Sequence, residues 1–80
     1  MKKNIPPAEE EHIKKMFGRS VRYWRRQKGM SQTDLAQRVG FHRTYLSDVE
    51  RGKRNPSLLL ITRIAKELPV SISELFTPPD

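Results

Sequence analysis

Six hydrogen-bonding side chains fall within ten residues on a helical period: His42, Arg43, Thr44, Ser47, Asp48 and Arg51. In the same stretch only Leu46 and Val49 are clearly apolar. A helix here would have a narrow edge to bury and a broad face that can bond but has little to hide. Held inward by two apolar residues and presenting donors and acceptors outward, such a rod suits the major groove of double-stranded DNA.

The flanking residues predict how that rod is positioned. Ser31 is placed to cap a preceding helix, with Asp34 three residues on as the acid of a capping box. Leu35, Ala36 and Val39 form the apolar edge of this helix, and Gly40 can end it in a left-handed conformation that residues with a Cβ avoid. The spacing predicts helix 2 over about 32–39 and helix 3 over about 43–51, with Gly52 as the stop. Helix 1 is expected over about 8–28, where Ile13, Phe17, Val21 and Trp24 form an inward stripe and Gly29 follows. Pro56 and Ser57 open helix 4, which carries Leu58, Ile61, Ala65 and Leu68 at spacings of three, four and three, with Leu60 and Ile64 beside them, until Pro69. Ser71 and Glu74 form a second capping-box pair for a short helix 5 ending in Leu75 and Phe76. The expectation is an all-α, five-helix domain over 8–77, with a loose tail at 1–7, where Ile5-Pro6-Pro7 interrupts helix, and another at 78–80. Lys2 and Lys3 read as a solubilising end rather than a minor-groove arm.

Eighty residues without cysteine or metal-ligand spacing make one domain near the lower limit for independent folding. The net charge of +7 is unevenly spread: residues 12–66 hold 14 Lys and Arg against Asp34, Asp48 and Glu50. Positive charge is thus concentrated where the two-helix pattern lies, which favours a polyanion partner. No segment reads as a membrane span or signal peptide, so a cytoplasmic protein, nucleoid-associated when bound to DNA, is expected. No nucleophile–base constellation, phosphate-cradling glycine loop or metal pair is visible, and no enzyme activity or cofactor is expected.

Over residues 16–76 the chain resembles the lambdoid repressor and Cro type of helix-turn-helix domain. The resemblance is carried by Phe17-Gly18, Val21-Arg22, Arg25, Lys28-Gly29-Met30-Ser31-Gln32, Leu35-Ala36, Gly40, Leu46-Ser47, Glu50-Arg51-Gly52, Pro56, Ile64-Ala65 and Leu75-Phe76. Within that family, His42-Arg43-Thr44-Tyr45-Leu46-Ser47, Val49-Glu50-Arg51-Gly52 and Arg54-Asn55 are similar to the small controller proteins of restriction–modification systems. The chain departs from the pattern in having Phe41-His42 where Ser or Thr often caps helix 3.

The resemblance implies a lambda-repressor-like fold and a set of roles. Arg43, Thr44 and Ser47 fall on the part of helix 3 that reaches deepest into the groove, with Asp48 a secondary candidate that either accepts from cytosine N4 or restrains a nearby arginine. Gln32 at the start of helix 2 is expected to bond a phosphate, as are Arg51, Lys53, Arg54 and Asn55 around the end of helix 3. Tyr45 either packs against helix 4 or places its hydroxyl on a phosphate. Arg25 and Glu50 are expected to form a structural ion pair tying helix 1 to helix 3. One helix reads only a few base pairs, so a homodimer on a palindromic operator is implied, with Leu59, Ile72, Leu75 and Phe76 as interface candidates. The function implied is a sequence-specific transcriptional regulator, in its narrower form an autoregulatory controller of a restriction–modification operon. Asp34 is the candidate contact to RNA polymerase. The competing reading is an antitoxin-type module that binds a protein partner as well as DNA.

Overall fold

The computed structural model describes residues 4–77 and residue 79; the expectations for Lys2, Lys3 and the end of the C-terminal tail lie outside the described residues. Among the described residues five helices follow one another: α1 (Pro7–Gln27), α2 (Gln32–Val39), α3 (Arg43–Glu50), α4 (Leu58–Glu67) and α5 (Ile72–Leu75). The start of α1 differs from expectation by including Pro7. Proline lacks an N–H that the first turn would leave unpaired anyway, and Pro6 supplies the extended residue before it. Both capping boxes form. Ser31 Oγ accepts from the Asp34 N–H at 3.0 Å while Asp34 accepts from the Ser31 N–H at 2.9 Å, and Ser71 and Glu74 repeat the exchange at 3.0 and 2.9 Å.

The core lies where α1 crosses α3 and α5 and where α2 meets α4. Phe17, Val21, Leu35, Val39, Leu46, Val49, Leu60, Ile64, Leu68 and Leu75 fill it. Three apolar expectations are corrected. Ile13 is 40% exposed: it borders an open depression with Phe17, Pro56, Ile61 and Phe76 instead of entering the closed core. Leu58 is 75% exposed, since the inward face of α4 is centred on Leu60, Ile64 and Leu68. Leu75 is fully buried: the short α5 closes the core with it and so withdraws it from any surface between copies. Phe76 lies beside Phe17, ring centroids 5.1 Å apart, yet keeps over a third of its area in solvent.

Candidate nucleic-acid interface

The turn between α2 and α3 occupies three residues. Gly40 has φ +81, and its N–H and that of Phe41 both donate to the Ala36 carbonyl at 2.9 Å, which stops α2 and reverses the chain. His42 takes the N-cap position of α3 in extended conformation, but its side chain makes no capping bond. From there Leu46, Val49 and Glu50 turn inward, Arg43 and Thr44 stand exposed, and Ser47 is half-buried. Among the described residues, none of these three outward side chains is taken up by an intramolecular hydrogen bond or ion pair.

The inner side of α3 is held at its C-terminal end. Arg25 Nε and Nη2 donate to the two Glu50 carboxylate oxygens at 2.6 and 3.0 Å, and Arg25 Nη1 donates to the Met30 carbonyl at 2.8 Å. Both side chains are nearly without solvent contact, so this is a fork-on-carboxylate pair in a dry setting. Gln32 Nε2 also donates to Glu50 Oε1 at 3.0 Å. The resemblance implies a phosphate contact for Gln32; in the free chain its amide joins α2 to the last residue of α3. A primary amide carries two N–H groups, so one remains for a second acceptor.

Gly18 has a function that the sequence reading left without a role. It lies in the middle of α1, where glycine costs about 1 kcal/mol relative to alanine. A Cβ built there collides with the backbone carbonyls of Val49 and Glu50, both under 3.0 Å away. α3 therefore approaches α1 more closely than any side chain would allow. The available signal was a glycine inside an otherwise periodic helix.

At the other flank, Asp48 is committed to cations rather than left open for a base. It accepts from Arg51 Nη2 at 2.6 Å and from Arg54 Nε at 3.3 Å. The hydrogen bond from Arg51 chiefly holds its carboxyl below the usual carboxylate range; partial loss of water opposes this and Arg54 adds to it. The Arg54 guanidinium also stands 5.1 Å over the Tyr45 ring, which stacks on Phe41 at 5.5 Å. Tyr45 thus packs partly into the core and partly between Phe41 and Arg54. Lys53, Arg54 and Asn55 are exposed in the loop that follows α3. Arg43, Thr44, Ser47, Arg51, Lys53, Arg54 and Asn55 thus come from one helix and the loop leaving it, while the apolar candidates Leu59, Ile72 and Phe76 lie on α4 and at α5. No group of three or more His, Cys, Asp or Glu side chains among the described residues is placed to hold a metal ion, and no described helix is long and apolar enough to cross a membrane.

A helix-turn-helix family profile matches residues 21–75. The control protein C.BamHI of Bacillus amyloliquefaciens is 48% identical over 65 residues, covering 80% of each chain. Among solved structures, the restriction–modification controller protein C.AhdI of Aeromonas hydrophila superposes with TM-score 0.75 at 44% identity, over 78% of this chain and 94% of that one. SinR of Bacillus subtilis, a master regulator of biofilm formation solved in complex with DNA, gives TM-score 0.73 at 33% identity, over 78% of this chain and all of the other. With α2, the glycine turn and α3 in the arrangement described, the chain belongs to the helix-turn-helix family of DNA-binding transcriptional regulators and is similar to its controller-protein members.

Proposed function

We propose that this chain is a homodimeric regulator that reads a palindromic operator, and that it serves as an autoregulatory controller of a restriction–modification operon. The observation that carries the DNA reading is the outward face of α3. Arg43, Thr44 and Ser47 have no partner within the described chain, while Leu46, Val49 and the Arg25–Glu50 pair fix the inward face. In this reading those three side chains bond base edges, and Arg51, Lys53, Arg54, Asn55 and the spare N–H of Gln32 hold the flanking phosphates. Binding is the whole of the activity, with no reaction catalysed, and the binding domain runs from α1, which starts at Pro7, to residue 77.

Dimerisation is supported by apolar surface that the fold leaves uncovered. Leu59 is 71% exposed, and Ile72 and Phe76 are each exposed by more than a third, all on α4 and at α5. A second copy covering these residues would present two α3 helices to successive major grooves, about 34 Å apart. The controller assignment rests on the likeness to C.BamHI and C.AhdI. A cytoplasmic location and a contact from Asp34 to RNA polymerase complete the proposal. Selection of bound fragments from random duplex DNA tests it: recovered sites with two-fold symmetry and half-sites one helical turn apart are expected. Recovery of asymmetric or random fragments would overturn the operator reading.

A further inference from the structure

We infer that Asp48 acts as an electrostatic brake on sequence-independent DNA binding, holding Arg51 and Arg54 away from phosphates in the free protein. This rests on the DNA reading above and adds a regulatory residue to it. An acid on a helix that approaches a polyanion is unfavourable unless it serves something else. Asp48 is not a core residue, and neither capping box uses it. Its oxygens are instead divided between two arginines, Oδ1 to Arg51 at 2.6 Å and Oδ2 to Arg54 at 3.3 Å.

The two guanidinium groups differ in freedom. Among the described residues Arg51 is anchored by Asp48 alone, and it remains 57% exposed at its side chain. Arg54 is held on one side by the carboxylate and on the other by the Tyr45 ring, which Phe41 backs in turn. Asp48 thus takes both ends of a cationic pair that would otherwise point charge into solvent beside the reading face. Sequence-independent affinity grows with the number of phosphates that cations neutralise, whereas recognition of base edges does not. By occupying two cations and adding one negative charge, Asp48 lowers the first contribution and leaves Arg43, Thr44 and Ser47 untouched. The cellular consequence is a smaller fraction of the regulator lost to bulk DNA.

The test uses the full chain and a mixed-sequence duplex of about 30 base pairs containing no selected site, with affinity followed by fluorescence anisotropy from 0.05 to 0.3 M NaCl. Asp48→Asn is expected to bind this duplex at least about fivefold tighter at 0.1 M salt, with the slope of log affinity against log salt steeper by about one to two. Glu67→Gln removes the same charge from α4 and is expected to change both quantities far less. Combining Asp48→Asn with Arg51→Gln and Arg54→Gln should return the slope to the parent value or below. Circular dichroism melting establishes that each variant is folded, and Asp48→Ser serves if the asparagine variant is not. The inference is overturned if the Asp48 variants bind no tighter than the parent, or gain no more than Glu67→Gln. If the parent binds no duplex at all, the DNA reading itself fails, an outcome separate from parent binding that Asp48 does not modulate.

Discussion

Gly18 in α1 lies against the backbone carbonyl of Glu50, the last residue of α3, with no room for a methyl group between them. Two opposing effects make this relationship testable. Replacing a mid-helix glycine by alanine ordinarily stabilises by up to about 1 kcal/mol, while forcing a methyl into a packed contact costs about 1–3 kcal/mol. Because the obstacle is backbone rather than a movable side chain, overpacking should win. Gly18→Ala is therefore expected to lower unfolding free energy in urea titration. A variant more stable than the parent would show that α1 and α3 can separate at no cost.

The buried pair beneath α3 should behave as a unit. Arg25→Met strands the Glu50 carboxylate, and Glu50→Leu strands the Arg25 guanidinium; either single change is expected to cost about 3–5 kcal/mol. The double change removes both charges and should recover much of that loss. Equilibrium unfolding of the four proteins measures the coupling, and additive losses would mean that the two groups do not depend on one another.

The residues proposed to read bases and those proposed to hold phosphates should separate by what they lose. Arg43→Ala and Thr44→Ala are expected to cost about 1–3 kcal/mol at a selected operator and far less on scrambled duplex. Lys53→Ala should weaken binding to both by similar factors and flatten the salt dependence. Parallel titrations on the two duplexes decide the matter. Equal loss on both from Thr44→Ala would remove it from the reading face.

Exposure separates two leucines that sequence placed in one interface. Leu59→Asp, at a site 71% exposed, is expected to shift sedimentation toward the monomer without lowering the stability of the fold. Leu75→Ala empties a fully buried position and should cost about 2–5 kcal/mol. A dimer unaffected by Leu59→Asp would move the interface elsewhere.

Acid should weaken the fold through specific carboxylates. Asp34 is held below the ordinary range chiefly by the Ser31 N–H, and Asp48 chiefly by Arg51. Both are depressed in the folded chain, so the unfolded chain takes up protons first as pH falls. Their stabilisation is complete above the unfolded value of about 4 and is lost as pH drops from there through the folded values. Urea midpoints measured between pH 6 and 2.5 are expected to fall mainly below pH 4, and to fall less in Asp48→Asn. A midpoint equally low at pH 6 and pH 3 would contradict this.

Helix ends were legible because their signals are local: a serine with an acid three residues on at 31/34 and 71/74, or glycine after the last apolar residue at 40. The face of α4 was read partly wrongly because Leu58, Leu59 and Leu60 are chemically alike, and only the neighbouring helices determine which of them is covered. Leu75 was ambiguous for the same reason, since four residues of α5 define no stripe. Polar partners were harder still. Gln32 and Asp48 can each bond several kinds of group: the choice of Glu50 by Gln32 depends on α2 and α3 being brought together, whereas Asp48 takes arginines only three and six residues ahead of it. The Arg25–Glu50 pairing, 25 residues apart, was expected only from resemblance.

Glu50 is gripped from two sides, by Arg25 and by Gln32, at the far end of α3 from Arg43. Eight residues of helix make a lever of about 12 Å. A swing of roughly 10° about that fulcrum would carry the leading turn some 2 Å sideways, beyond the tolerance of a hydrogen bond. Loosening the grip without unfolding the domain should therefore blur aim before it weakens attachment, yielding a protein that still clings to duplexes but no longer knows which one it holds.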